Sequence, residues 1–190
     1  MSAQIMDSIM IHNHTYNIIE VSSPSMMFRP SDFGLQPTMT CTACYRGHWC
    51  DYQIKDLYLY LKDFYMYSAD NYPALNGVNI LSEAGVASEK MGHKIYKNVY
   101  LGLPYTGKMI VGKDLIYEFH KNGGRQNCWA YTVMLECTFE NGRIVSSDDY
   151  SSLAKAIREY IKNEGLSTTY TRYEEIPVNY WGCAKWVLNR

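Results

Sequence analysis

An excess of charge of either sign is missing from this chain: 18 Lys and Arg stand against 19 Asp and Glu over 190 residues, a formal net charge of −1. Without a field of one sign, a nucleic-acid groove or an anionic membrane surface is disfavoured as the main partner. Long apolar runs are missing too, so no segment is read as a bilayer span. Met1-Ser2-Ala3-Gln4-Ile5-Met6-Asp7 lacks the basic stretch, apolar stretch and small-residue cleavage site of an export signal. The expectation is a soluble cytoplasmic protein whose six cysteines are reduced thiols rather than a disulfide framework. Catalytic signatures are equally scarce. No Gly-x-Ser-x-Gly elbow is present, and Ser151-Ser152 fall where a helix begins, so capping and solvation account for them. Gly102-Leu103-Pro104-Tyr105-Thr106-Gly107-Lys108-Met109 keeps the spacing of a phosphate loop but puts Met109 where a magnesium-holding hydroxyl belongs, and it runs on as a strand.

What the chain has is apolar content, 47 % of residues, enough for one domain over 1–190 with a sizeable interior. Alternation dominates it. Ile9-Met10-Ile11 and Tyr16 to Val21 flank His12-Asn13-His14-Thr15 as two strands around a hairpin turn. Ser22-Ser23-Pro24, Arg29-Pro30-Ser31-Asp32 and Gln36-Pro37 then mark an irregular link. From Met39 the chain alternates again through Cys41 to Ile54, turns at Lys55-Asp56 and returns as Tyr58-Leu59-Tyr60-Leu61. The segment from Asn76-Gly77 to Met91-Gly92 reads as the longest loop, with a helical turn near Ser82-Glu83-Ala84. Tyr96 to Leu101 and Lys108 to Val111 read as strands joined by a turn at Pro104 to Gly107, and Asp114 to His120 as a short helix. Trp129, Tyr131, Val133, Leu135, Cys137 and Phe139 line one face of a further strand, which turns at Glu140-Asn141-Gly142-Arg143.

Laying Asn141 on Asp56 brings both hairpin turns into register, which suggests pseudo-repeated β-hairpin halves over 9–75 and 95–146. The clearest helix covers 149–163: Ser147 or Asp148 can cap it, Leu153, Ile157, Tyr160 and Ile161 form its apolar stripe, and Gly165 stops it. Tyr170 to Tyr173 and Asn179 to Leu188 read as closing strands, with Trp181 and Trp186 packed. The expected fold class is α+β, mainly antiparallel sheet with one C-terminal amphipathic helix.

Thr42-Ala43-Cys44-Tyr45-Arg46-Gly47-His48 through Ile54-Lys55-Asp56 and Leu59-Tyr60-Leu61 resembles a pattern in uncharacterised bacterial proteins that runs TA-C-aromatic-RG-aromatic, then W-x-I-x-DG-x-LYL. Tyr52 stands where that pattern has Trp, His48 where it has an aromatic, and Leu57 where it has the turn glycine. The resemblance implies a small bacterial β-rich protein and brings no activity with it.

Two sets of residues could carry chemistry. Cys41, Cys44, His48 and Cys50 are zinc-type ligands, but within ten positions of one alternating strand they would point to opposite faces, so packing is the favoured reading and no cofactor is expected. His12 and His14 suit an exposed turn, and His93 and His120 lie beside glycine-containing loops without a carboxylate partner in sequence. Arg46, His48, Trp49, Lys108 and Trp129 are the polar and aromatic residues assigned to ligand contact. Eighteen tyrosines add a surface suited to gripping a protein or a small ligand. The functional expectation is therefore a non-catalytic binding or interaction protein, such as a partner-binding module of the toxin-immunity type. The alternative is an enzyme whose site assembles from distant residues, metal-dependent through the Cys41 to Cys50 segment or the His12 and His14 pair. An exposed tyrosine-rich edge would also support an oligomer.

Overall fold

Two-residue turns with both φ angles positive set the architecture. His12-Asn13 (φ 46° and 64°), Asp56-Leu57 (50° and 70°) and Asn141-Gly142 (46° and 80°) have the geometry of type I′ turns, whose twist matches that of the strands they join. A computed structural model describes residues 2–39, 41–68, 72–81, 94–181 and 186–187. Within them the turns join β1 (Ser8–Ile11) to β2 (His14–Val21), β3 (His48–Lys55) to β4 (Tyr58–Met66), and β8 (Tyr131–Glu140) to β9 (Arg143–Asp149). The short β5 (Lys94–Tyr96) and β6 (Leu101–Gly102), and the long β7 (Gly107–Leu115), complete the sheet. It is mostly antiparallel, with a helix α1 (Ser151–Asn163) near the C-terminus, so the chain is a β-rich α+β protein.

The sheet closes on itself. Strand order runs β3-β1-β2-β7-β8-β9-β4, and β4 pairs back onto β3. β1 lies parallel to β3 (Ile9 opposite Tyr52), which inserts the first hairpin beside the second. At the other end of the path, Tyr58 of β4 faces Arg143 of β9, and Leu59 N donates to Gly142 O (2.8 Å) while Ile144 N donates to Leu57 O (2.9 Å). The tips of the second and third hairpins thus dock side by side. Further along, β6 and then β5 occupy that same edge of β4, leaving little of it exposed.

Period-two alternation sends neighbouring residues of β7 and β8 into two different cores. Met109, Val111, Cys137 and Phe139 join Ile9, Tyr52, Leu61 and Phe64 in the core inside the ring. Ile110 and Met134 face outward and meet α1 through Ala154, Ile157 and Ile161, all fully buried, together with Trp129, Tyr131 and Trp181. Each buried isoleucine on the helix stabilises by about 1.5–3 kcal/mol. The helix ends as expected: Gly165 adopts φ 65°, and Leu166 N and Gly165 N donate to Ile161 O and Lys162 O in a Schellman arrangement.

Several local expectations are corrected. Residues 41–47 form tight turns rather than strand, because Gln4 reaches across to hold them, and β3 begins only at His48. Pro104 to Gly107 is no hairpin turn: β6 pairs with β4, and β7 with β2 and β8. Strand β7 continues to Leu115, so only Tyr117–Phe119 of the expected 114–120 helix winds, as one 3₁₀ turn. Helix α1 starts at Ser151, because β9 stays paired with β8 as far as Asp149, whose carboxylate accepts from Ser151 N (2.8 Å). Trp129 precedes β8 in a 3₁₀ turn that breaks the alternation, and its ring joins the outer core with Tyr131. Among the described residues of the expected closing strands, Tyr173–Glu175 and Val178–Tyr180 are instead 3₁₀ turns that seat Tyr173 and Trp181 on Trp129 (ring centroids 4.9 and 6.1 Å). The two hairpins read as repeats share their turn type, but β3 lies parallel to its outer neighbour β1 whereas β8 runs antiparallel to β7. Residues 82–92 of the expected long loop, with its helical turn at 82–84, His93, and residues 182–185 and 188 of the expected last strand lie outside the described residues.

Candidate ligand cavity

The stretch leading into β1, the end of β2 and the start of β3 surround a cavity of about 380 Å³. Its wall is assembled by Gln4, whose Nε2 donates to Thr42 O (2.8 Å) and whose Oε1 accepts from Tyr45 N (3.1 Å), while Ile5 N donates to Ala43 O (2.8 Å). Gly47 ends the turn at φ 68°, where an added Cβ would stand 2.4 Å from Thr38 O, so the close approach of two backbones requires glycine. The turn thereby delivers Tyr45, Arg46 and His48 to one side of the cavity.

Asp7 organises the polar side. Its two carboxylate oxygens accept from Nη1 and Nη2 of Arg46 at 2.9 Å each, a bidentate pair, and Oδ1 also accepts from Cys50 N (2.9 Å). Burial opposes the charge on Arg46, but Asp7 outweighs it and holds the guanidinium above its ordinary pKa. His48 Nδ1 lies 2.8 Å from Arg46 O, and burial, assisted by the Arg46 charge, pushes the imidazole below its usual pKa. A carbonyl oxygen can only accept, so the neutral ring carries its proton on Nδ1 and leaves Nε2 as an acceptor. The opposite wall is apolar: Ile18, Val21, Met27 and Phe28 continue into the inner core. At the back, burial drives the Cys50 thiol and the Tyr52 hydroxyl well above their ordinary pKa values, so both stay protonated.

Of the residues assigned to ligand contact from the sequence, the fold brings Arg46 and His48 together here. Trp49, one residue further along β3, is outside the lining and stacks on Tyr65 with centroids 4.8 Å apart and rings 9° from parallel. Lys108 is taken up by an ion pair with buried Glu136 (2.7 Å), and Trp129 is fully buried in the outer core. Cys44 is buried in the turn with its thiol directed at His48 O, and Cys41 is partly exposed. No group of three or more His, Cys, Asp or Glu side chains is placed to hold a metal ion among the described residues. Asp7, Gln4 and Arg125 escaped the sequence reading. Asp7 alone left a trace, as a single acid next to an apolar strand, while Arg125 stands in a Gly-Gly loop that gives no hint of where it lands. No helix among the described residues is long and apolar enough to cross a membrane. No family model, curated protein or solved structure matches this chain.

Proposed function

We propose that this chain is a non-catalytic binding protein that takes a small ligand in the cavity between β2 and β3. The observation that supports it is the make-up of that cavity: apolar walls, a few converging polar groups, and a volume within the ordinary range of small-molecule sites. The titratable groups favour binding over reaction. Arg46 and Asp7 neutralise each other, Cys50 and Tyr52 stay protonated, and His48 is oriented by a backbone carbonyl rather than by a carboxylate. A nucleophile paired with a base, as covalent catalysis needs, is not among the cavity-lining side chains described.

A small-molecule library screened by thermal shift tests this reading. A ligand at a hundred times its Kd stabilises by about 2.7 kcal/mol, which raises Tm by roughly 5–10 °C for a domain of this size. Met27→Trp fills the apolar wall and should abolish that shift while keeping the circular dichroism of the parent. Hits that stabilise the filled variant equally would contradict the assignment.

A further inference from the structure

Beside the cavity lies a second, polar cleft of about 320 Å³, and Arg125 lines both. The backbone of the loop bearing Arg125 is fastened at two places. Gln126 clasps the loop, with Oε1 accepting from Lys121 N (2.7 Å) and Nε2 donating to Lys121 O (2.9 Å). Gly124 O accepts from Gln4 N (3.1 Å), fastening the loop to the same stretch that walls the cavity. Lys121, Arg125 and Arg172 all line the cleft. Among the described residues, none of the three enters an ion pair, and Lys121 Nζ has only the neutral Asn127 Oδ1, at 3.3 Å. Glu20 and Glu174 also line it, so among the described lining residues three cations stand against two carboxylates, an excess of one positive charge.

Resting on the binding reading above, we infer that the ligand is an amphipathic monoanion: its apolar body fills the cavity toward Met27 and Phe28, and its anionic head lies in the cleft against Arg125, Lys121 and Arg172. Size agrees. At about 30 Å³ for each small group, the cavity has room for about a dozen, the body of a medium-length acyl chain or a compact ring system. Charge agrees as well, since one anion neutralises the excess. Burial already pushes the Lys121 ammonium below its ordinary pKa, a cost that a nearby anion relieves.

Isothermal titration of decanoate, decyl sulfate, decanol and decylamine, each below its micellar range, tests the proposal. Decanoate or decyl sulfate should bind at least tenfold tighter than decanol, with decylamine weakest, and the stronger of the two anions identifies the head group. Arg125→Gln should weaken the anion about tenfold, as loss of a hydrogen bond to a charged group does, whereas Lys155→Gln on the exposed helix face should leave it unchanged. Decanol binding as tightly as decanoate, or Arg125→Gln without effect on a folded protein, would overturn the anionic head. Should none of the four bind while library compounds stabilise the parent and not Met27→Trp, the ligand class is wrong and the cavity reading stands. If decanoate binds Met27→Trp as tightly as the parent, both fall.

Discussion

Removing Lys108 should expose how the outer face of β8 tolerates a charge. Glu136 has a side chain only 2 % exposed on the face of β8 that alternation turns toward the outer core, and two groups satisfy it: Lys108 Nζ at 2.7 Å and Trp186 Nε1 at 2.6 Å. Lys108→Met strands that carboxylate with one neutral donor. Breaking a fully buried ion pair from one side costs about 3–5 kcal/mol. The Lys108 side chain is 38 % exposed, so water already screens part of the attraction, and we expect about 2 kcal/mol. With a urea dependence of about 2 kcal/mol per molar, the midpoint should fall by about 1 M in equilibrium unfolding followed by tryptophan fluorescence. Adding Glu136→Leu removes the stranded charge, sets back about 1 kcal/mol through the lost Trp186 hydrogen bond, and should still recover about half of the loss. A midpoint shift below about 0.2 M for Lys108→Met, or a double variant weaker than the single one, would refute this reasoning.

Other perturbations have equally definite outcomes. Leu57 occupies a left-handed position (φ 70°) and is half exposed, so Leu57→Gly should stabilise by about 1 kcal/mol, read as a raised urea midpoint. Gly142→Ala should do the opposite by at least about 1 kcal/mol, since at φ 80° its Cβ would stand 2.3 Å from Leu103 O at the seam that closes the sheet. Ile157→Ala on the helix stripe should cost about 3 kcal/mol, with a far-ultraviolet spectrum unchanged below the transition. Burial raises the Cys128 and Cys137 thiols from 9.0 to about 12 and about 11. The unfolded chain therefore loses these protons first: both thiols leave stability intact below about pH 9 and lower it by about 1.4 kcal/mol per pH unit each above that, up to their folded pKa values. Replacing both with alanine should flatten that slope.

Local chemistry made the hairpins and the helix legible. Asn141-Gly142 and His12-Asn13 are turn sequences flanked by alternating strands, and Leu153, Ile157 and Ile161 keep helical spacing up to a glycine stop. Closure of the sheet was not legible, because it depends on two hairpin tips docking and on a parallel β1–β3 contact, neither of which leaves a periodic mark. The C-terminal aromatics misled for a related reason. Tyr173 and Trp181 look like strand residues but fill the space beside Trp129, where packing outweighs β propensity. In the cavity, Arg46 and His48 stood out because they flank an aromatic cluster. Asp7 and Arg125 acquire meaning only when segments 39 and 79 residues away from Arg46 in sequence are brought to it.

Methyl-labelled methionine spectroscopy bears most directly on whether the cavity binds a ligand. Met6 and Met27 line it, whereas Met66 and Met134 are fully buried elsewhere in the inner and outer cores. Titrating the strongest compound from the thermal-shift screen should move the Met6 and Met27 signals in proportion to saturation and leave Met66 and Met134 in place. Saturation with Met6 and Met27 unmoved would contradict the assignment of this cavity as the binding site.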